Sequence, residues 1–308
     1  MDLFRLHSCF DTFQAPPPTQ PARKHHKKRV THALRMSQHH SLANKIEFCR
    51  KGERCSNVYC PECRHSMAKR LAGRMLDHVV PKYQNAPPSV RKDQLRHLTV
   101  LVDLRYPVAA DIKRCIRQTR AKVKAALRAF PRVWMQGAFE LELVDVPRVL
   151  AGGSTGRKAD TIKSLLKYDG QLSPRLFGQM VLVHFHAMID VNFCDAVGIR
   201  RSLTKQFPGP YMVRLQRTHF NQELKELAWK LGSYPFKDRV QYNHSFQTSA
   251  FLLGDYLSDV SLCSLVKLYS ECSDNGYKCL LIAAKGRSHR VSFTGDLLNT
   301  IESGECDA

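Results

Sequence analysis

Apolar positions between residues 95 and 217 recur with two periods, one of two residues and one of about 3.6, and the switches between them mark out elements. Leu98, Val100, Val102 and Leu104 alternate with other residues, which predicts a strand over Leu95–Leu104 with those four on one face. Asp111 stands where a helix cap would. Ile112, Ile116, Val123, Leu127 and Phe130 follow at helical spacing, so the helix is expected to run to about Phe130. Alternation returns over Trp134–Val146 and again over Gln179–Val191, giving a second and a third strand. Between them Gly152-Gly153-Ser154-Thr155-Gly156 and a polar stretch read as the long loop of a hairpin. Asn192 is placed to cap a helix through about Phe207, and Tyr211–Arg217 reads as a short fourth strand. Asn221 then opens a helix that reaches Tyr234 and meets Pro235. The order β-α-β-β-α-β predicts an α+β fold, a ferredoxin/RRM-like antiparallel sheet with helices on one face.

The flanks follow a different pattern. Residues 1–44 read as a basic flexible arm, with Ala15-Pro16-Pro17-Pro18 leading into Arg23-Lys24-His25-His26-Lys27-Lys28-Arg29 and little to bury; non-specific phosphate contact is its expected use. Residues 45–89 hold a cysteine-rich segment, a helix-like stretch from Ser66 to Val80 and a linker over Tyr83–Ser89. Residues 90–245 carry the sheet. Residues 246–308 form an extension with further helix and strand signals, including Tyr277–Ala284, and an acidic end.

Composition narrows the function. Lys and Arg total 48 against 27 acids among 308 residues, a formal net charge of +21. An enzyme of small metabolites has little use for that imbalance, whereas a polyphosphate partner or an anionic membrane does. No apolar run approaches the roughly 18 residues that span a bilayer, and no secretory signal is evident, so nucleic acid is the expected partner and a membrane is not. On the first helix Lys113, Arg114, Arg117, Arg120, Lys124 and Arg128 share the polar face. Such a face is usually just solvated, but this one is nearly all of one sign, and Arg114, Arg117 and Arg120 are its candidate DNA contacts.

Eleven cysteines include a cluster of four, Cys49, Cys55, Cys60 and Cys63. The odd total argues against a disulfide framework, and Cys60-Pro61-Glu62-Cys63 has the knuckle spacing of a zinc half-site that Cys49 and Cys55 can complete. His65 is a substitute ligand, and four buried reduced thiols are the alternative.

A second set of metal-ligating types lies on the strands. Alternation puts His184 and His186 on one face of the third strand, and two imidazoles two residues apart can grip one divalent ion. Glu140 and Glu142 share one face of the second strand, so antiparallel pairing would bring a carboxylate beside the histidines. Hydrogen-bonded histidines and solvent-facing glutamates are the plainer readings. Tyr234, between Lys230 and Lys237, can serve as a nucleophile toward a phosphodiester, because nearby positive charge lowers a phenol's pKa; most tyrosines only pack, and spacing alone does not select this one.

Together these residues resemble the rolling-circle replication initiators of small bacterial plasmids, within the HUH endonuclease superfamily. Leu98-Thr99-Val100-Leu101 is similar to the family's first, Thr-containing strand motif, and Gly137-Ala138-Phe139-Glu140-Leu141-Glu142 looks like its Gly-then-Glu strand. His184-Phe185-His186 resembles the histidine–hydrophobe–histidine motif, and Leu227–Lys237 is similar to the tyrosine motif. The Cys-Pro-x-Cys segment followed by a basic helix is similar to the N-terminal region, and Lys285-Gly286-Arg287 with Thr294-Gly295 to the C-terminal end. The resemblance spans roughly residues 45–295. Ser233 departs from the family's common lysine, Pro235 directly follows the tyrosine, and Lys230 stands where some relatives carry a second tyrosine or a glutamate.

The resemblance implies an HUH nuclease domain over residues 90–245. His184, His186 and Glu142, with Glu140 in reserve, would hold catalytic Mg²⁺ or Mn²⁺, and Zn²⁺ would be structural. Tyr234 would be the nucleophile that forms a 5′-phosphotyrosine link, Lys237 would screen charge, and Lys230 would contact DNA. It further implies single-stranded or hairpin origin DNA as substrate, a host helicase and polymerase as partners, and a cytoplasmic, plasmid-associated location. The same chemistry would serve a transposase or relaxase. A zinc-containing nucleic-acid-binding regulator without catalysis is the alternative of another class.

Overall fold

The computed structural model describes residues 20–153, 157–167, 170–171, 173, 177–218, 223–236, 257–272 and 277–284. Helices α1 (Gln20–Met36) and α2 (His40–Glu47) lead to α3 (Pro61–Tyr83) and α4 (Pro88–Gln94). Strand β1 (Leu95–Arg105), helix α5 (Ala109–Leu127) and strand β2 (Trp134–Asp145) follow. A single turn, α6 (Val146–Arg148), and helix α7 (Arg157–Leu166) lie in the connection to β3 (Gln179–Asp190). Then come α8 (Ala196–Gln206), β4 (Val213–Arg217), α9 (Leu224–Ser233), α10 (Asp259–Cys272) and β5 (Leu281–Ala284).

The strands form one antiparallel sheet in the order β4-β1-β3-β2-β5. The expected β-α-β-β-α-β series is thus present, with β1 and β3 central and β5 added at the β2 edge. The long strands β2 and β3 pair over their whole length, Trp134 opposite Asp190 and Asp145 opposite Gln179. Gly137 permits this closeness: a side chain there would run into the His186 carbonyl and Ala187.

The faces of the sheet differ in chemistry. Leu98, Val100, Phe139, Leu141, Val183 and Phe185 are buried on one face, where α5 and α8 pack on each other and on β1 and β4. The other face carries Thr99, Glu140, Glu142, His184, His186 and Asp190, and α3 and α9 cover it. Asp190 is fixed there by three groups of α3: Tyr83 donates to Oδ1 at 2.8 Å, and His78 and Lys82 donate to Oδ2 at 2.7 and 3.0 Å. Burial alone would raise this carboxyl, but the bonds from His78, Lys82 and Tyr83 hold it below the ordinary carboxylate range. His78 in turn stacks on Trp134 with ring centroids 4.0 Å apart. Helix α3 is therefore bonded to the sheet, not merely laid over it.

Several expectations change. The arm assigned to residues 1–44 is mostly helical from Gln20 on, with Val30, Ala33, Leu34 and Ala43 buried and Arg29 donating to the Leu257 carbonyl at 2.9 Å. Its basic residues hide an apolar stripe that needs α10 to cover it; residues 1–19 lie outside the described residues. The expected linker over Tyr83–Ser89 shortens to a turn over residues 84–87, between the end of α3 and the start of α4. A bulge between Leu101 and Asp103 breaks the alternation of β1, so Leu104 pairs with Leu182 on the histidine face and does not share a side with Leu98 and Val100. Asp195, rather than Asn192, caps α8, accepting from the amides of Val197 and Gly198. Helix α5 is capped by Val108, and Asp111 instead pairs with Arg114 at 3.1 Å. The polar loop between β2 and β3 includes α7, whose Ile162 is fully buried in a small second cluster with Leu104, Val144 and Leu182.

Candidate metal centre and tyrosine

Pairing of β2 with β3 sets Glu140 opposite His184, and both side chains emerge toward α9. Glu140 Oε2 lies 3.0 Å from His186 Nε2, and Glu142 Oε2 lies 3.1 Å from His184 Nε2. All four residues are no more than 3% exposed. Four buried ionisable groups are costly unless they satisfy one another or share an ion. At 3.1 Å the Glu142–His184 contact lacks the alignment of a hydrogen bond, as two ligand atoms turned toward a common point would.

Glu140, His184 and His186 each offer a ligand atom within 4.8 Å of the other two. Adjacent ligands on an octahedral ion with bonds of about 2.1 Å stand about 3 Å apart, and opposite ones about 4.2 Å. The trio could hold a metal ion, and nitrogen with carboxylate oxygen suits Mn²⁺ and tolerates Mg²⁺. The carboxylate in this trio is Glu140, the reserve choice; Glu142 stands beside His184 and outside the three.

The described part of the tyrosine motif also comes to this spot. Helix α9 ends at Ser233, and Tyr234 begins a single 3₁₀ turn to Phe236, with Pro235 and Phe236 buried. Pro235 ends the helix, since it has no amide to donate. The Tyr234 ring lies edge-on to His186 at 4.5 Å and to His97 at 5.4 Å. Gly232 is what lets α9 settle on α3: a Cβ there would stand 2.7 Å from the Ala72 amide nitrogen. Lys230 lies one turn before Tyr234, and Lys237 falls outside the described residues.

Two residues of β1 complete the cluster. Thr99 Oγ1 is 3.1 Å from His186 Nδ1, and the His97 ring is 5.9 Å from that of His186. Thr99 entered the sequence reading only as part of a motif, and His97 did not enter it. Strand alternation puts both on the histidine face, so the signal was present, but nothing in β1 alone told which face would matter.

The basic residues of α5 lie elsewhere. Helix α5 sits on the opposite side of the sheet from Tyr234. Arg120 donates to the carbonyls of Cys279 and Leu281, which ties β5 down, and Arg114 is paired with Asp111; Arg117 is exposed.

The cysteine cluster is built around the first turn of α3. Cys60 is the residue before the helix, Pro61 its first residue, and Cys63 lies in the first turn. Cys49, Cys55, Cys60 and Cys63 place their sulfurs within 4.8 Å of one another, with Cys49 and Cys55 at 3.5 and 3.6 Å from Cys63. Tetrahedral zinc with bonds of about 2.3 Å sets its sulfurs about 3.8 Å apart. All four are free thiols. Hydrogen bonds from Cys55 and Cys60 hold the Cys63 thiol below the ordinary thiol range, and the positive end of α3 favours the same thiolate. The set can bind a structural metal such as zinc. His65 is not part of it; its ring faces Trp229 at 5.4 Å.

No helix among the described residues is long and apolar enough to cross a membrane. Comparison with protein-family models, with curated proteins and with solved structures finds no match for this chain.

Proposed function

We propose that this chain is a metal-dependent endonuclease of the HUH class that nicks and rejoins single-stranded DNA, and that it initiates replication of a rolling-circle element. One observation carries the reading. Tyr234 rests against His186, a member of the Glu140–His184–His186 trio, although the two lie 48 positions apart on different elements. A binding protein has no need to gather a half-buried phenol against a buried set of metal-ligating side chains.

In this reading Glu140, His184 and His186 hold Mn²⁺ or Mg²⁺. When bound, the ion supplies Lewis-acid stabilisation of the charge that develops on the scissile phosphate. Tyr234 supplies the nucleophile. Its phenol oxygen gives up a proton and bonds to phosphorus, the bond from phosphorus to the 3′-oxygen breaks, and that oxygen leaves as a hydroxyl once protonated. The products are a 5′-phosphotyrosine link and a free 3′-hydroxyl, which a polymerase can extend. Lys230 and Lys237 lie near enough in sequence to offset phosphate charge. Four cysteines holding zinc would brace α3, and α3 braces α9 and its tyrosine. A transposase or relaxase would use the same chemistry on other DNA ends.

The test supplies the protein with Mn²⁺ and end-labelled single strands tiling its element's non-coding region. The proposal expects one position to be cut, leaving a 3′ end that polymerase extends, and expects no cutting by Tyr234→Phe. Tight binding of those strands with no cutting under any metal would replace the proposal with a non-catalytic regulator.

A further inference from the structure

We infer that Thr99 is a positioning residue for the metal centre, accepting the hydrogen bond that His186 donates from Nδ1 in the form that can act as a ligand. This rests on the metal-centre reading above and deepens it. Thr99 on β1 is paired directly with His186 on β3, so the two side chains rise side by side from the same face. Thr99 Oγ1 is 3.1 Å from His186 Nδ1, while the ring's other nitrogen, Nε2, is 3.0 Å from Glu140 Oε2.

A neutral imidazole carries one proton on one of two nitrogens. With the proton on Nε2, the ring donates to Glu140 and has no lone pair left there for an ion. With the proton on Nδ1, the ring donates to Thr99 Oγ1, and the Nε2 lone pair points into the space shared with Glu140 and His184. The Thr99 hydroxyl can also donate to Nδ1 in the first form, so it is an ion at Nε2 that draws the ring into the second form, and Thr99 is then the acceptor that form requires. The hydroxyl also fixes the ring about its long axis. That matters twice, because the Tyr234 ring rests edge-on against His186 at 4.5 Å. One hydroxyl on β1 thereby steadies both the ligating form of His186 and the surface that supports the nucleophile.

The test uses the full chain. Thr99→Val keeps the shape and removes the acceptor; Thr99→Ser keeps the acceptor. Mn²⁺ affinity is read by titration calorimetry, and metal-free melting reports on folding. The inference expects Thr99→Val to weaken Mn²⁺ binding about 10–100-fold, the usual cost of losing such a partner, with Thr99→Ser close to wild type. Nitrogen shifts of His186 with diamagnetic Mg²⁺ bound give a reading that needs no variant, and the ring proton should then sit on Nδ1. A proton on Nε2, or wild-type Mn²⁺ affinity in a folded Thr99→Val protein, overturns the inference while the metal centre stands. Loss of Mn²⁺ binding in His184→Ala with none in Thr99→Val is that outcome: the metal centre stands and the role of Thr99 falls. If the wild type shows no Mn²⁺ binding that depends on His184, the metal-centre reading itself fails, and this inference with it.

Discussion

At the scale of single residues, the site depends on which carboxylate is turned toward the histidines. Glu140 and Glu142 are equally buried and face the same way, but only Glu140 shares a ligand set with both His184 and His186. Glu140→Ala should therefore weaken Mn²⁺ binding by more than the ~10–100-fold typical of an outer-shell loss, and Glu142→Ala by less, in one calorimetric series. Equal losses would make both glutamates ligands. The family resemblance favours Glu142 with Glu140 in reserve, and alternation along the strand cannot decide between them for a physical reason. Period-two alternation assigns a face, but a diagonal contact across paired strands is fixed by rotamers. The same limit hid His97, whose place against Tyr234 depends on where α9 lands.

A second residue-scale prediction concerns pH. His26 donates to the Tyr59 carbonyl at 3.1 Å, and burial, then the charge of Arg64, pushes its pKa down to about 4. The folded state thus binds fewer protons than the unfolded state between about pH 6.5 and 4, so stability falls as pH falls through that window. His26→Gln should flatten this part of the melting-temperature profile. A slope unchanged in the variant would mean that other groups produce it.

At the scale of elements, α3 does the most. It has Cys60 just before its start and Cys63 in its first turn, packs on the tyrosine helix through Ala72 and Gly232, and bonds to Asp190 of β3 at its end. Cys63→Ser should release bound zinc, measured by metal analysis. If zinc contributes even ~3 kcal/mol, melting should fall by about 6–12 °C. A variant that melts like the wild type would make the four cysteines reduced core thiols. Asp190→Asn tests the other end: because the folded carboxyl is held below its ordinary range, its stabilisation is present at neutral pH and lost as pH falls through the folded value. The variant should be less stable at neutral pH, and its deficit should shrink in acid.

Elements with strong local pattern were readable. The strands from Trp134, Gln179 and Leu95 fall within a residue or two of their expected bounds, because long alternating runs leave few alternatives. What escaped were features decided by partners. Helix α1 is rich in Lys, Arg and His, and its stripe of Val30, Ala33 and Leu34 gains meaning only against α10. The bulge after Leu101 flips Leu104 without any glycine or proline to announce it.

At the scale of the whole molecule, the net charge of +21 is the broadest fact and the least specific. It predicts strong, salt-sensitive affinity for single strands. Each phosphate neutralised should lower log K by about 0.7 per tenfold rise in salt. Fluorescence anisotropy at several salt concentrations would read that slope directly, and affinity indifferent to salt would remove nucleic acid as the partner. Placement refines the point. Arg114 and Arg117 lie on the layer behind the sheet, and Arg120 is committed to β5, so their removal should alter binding less than that of Lys230, beside Tyr234.

The central claim is that Tyr234 and the Glu140–His184–His186 set form one reactive centre. Its most direct test is a covalent adduct on a denaturing gel, from protein, Mn²⁺ and labelled single-stranded origin DNA, with the attachment point found by mass spectrometry. The wild type should give an adduct on Tyr234, and Tyr234→Phe and His184→Ala/His186→Ala should give none. An adduct that persists in Tyr234→Phe, or that forms equally without the two histidines, would contradict the claim.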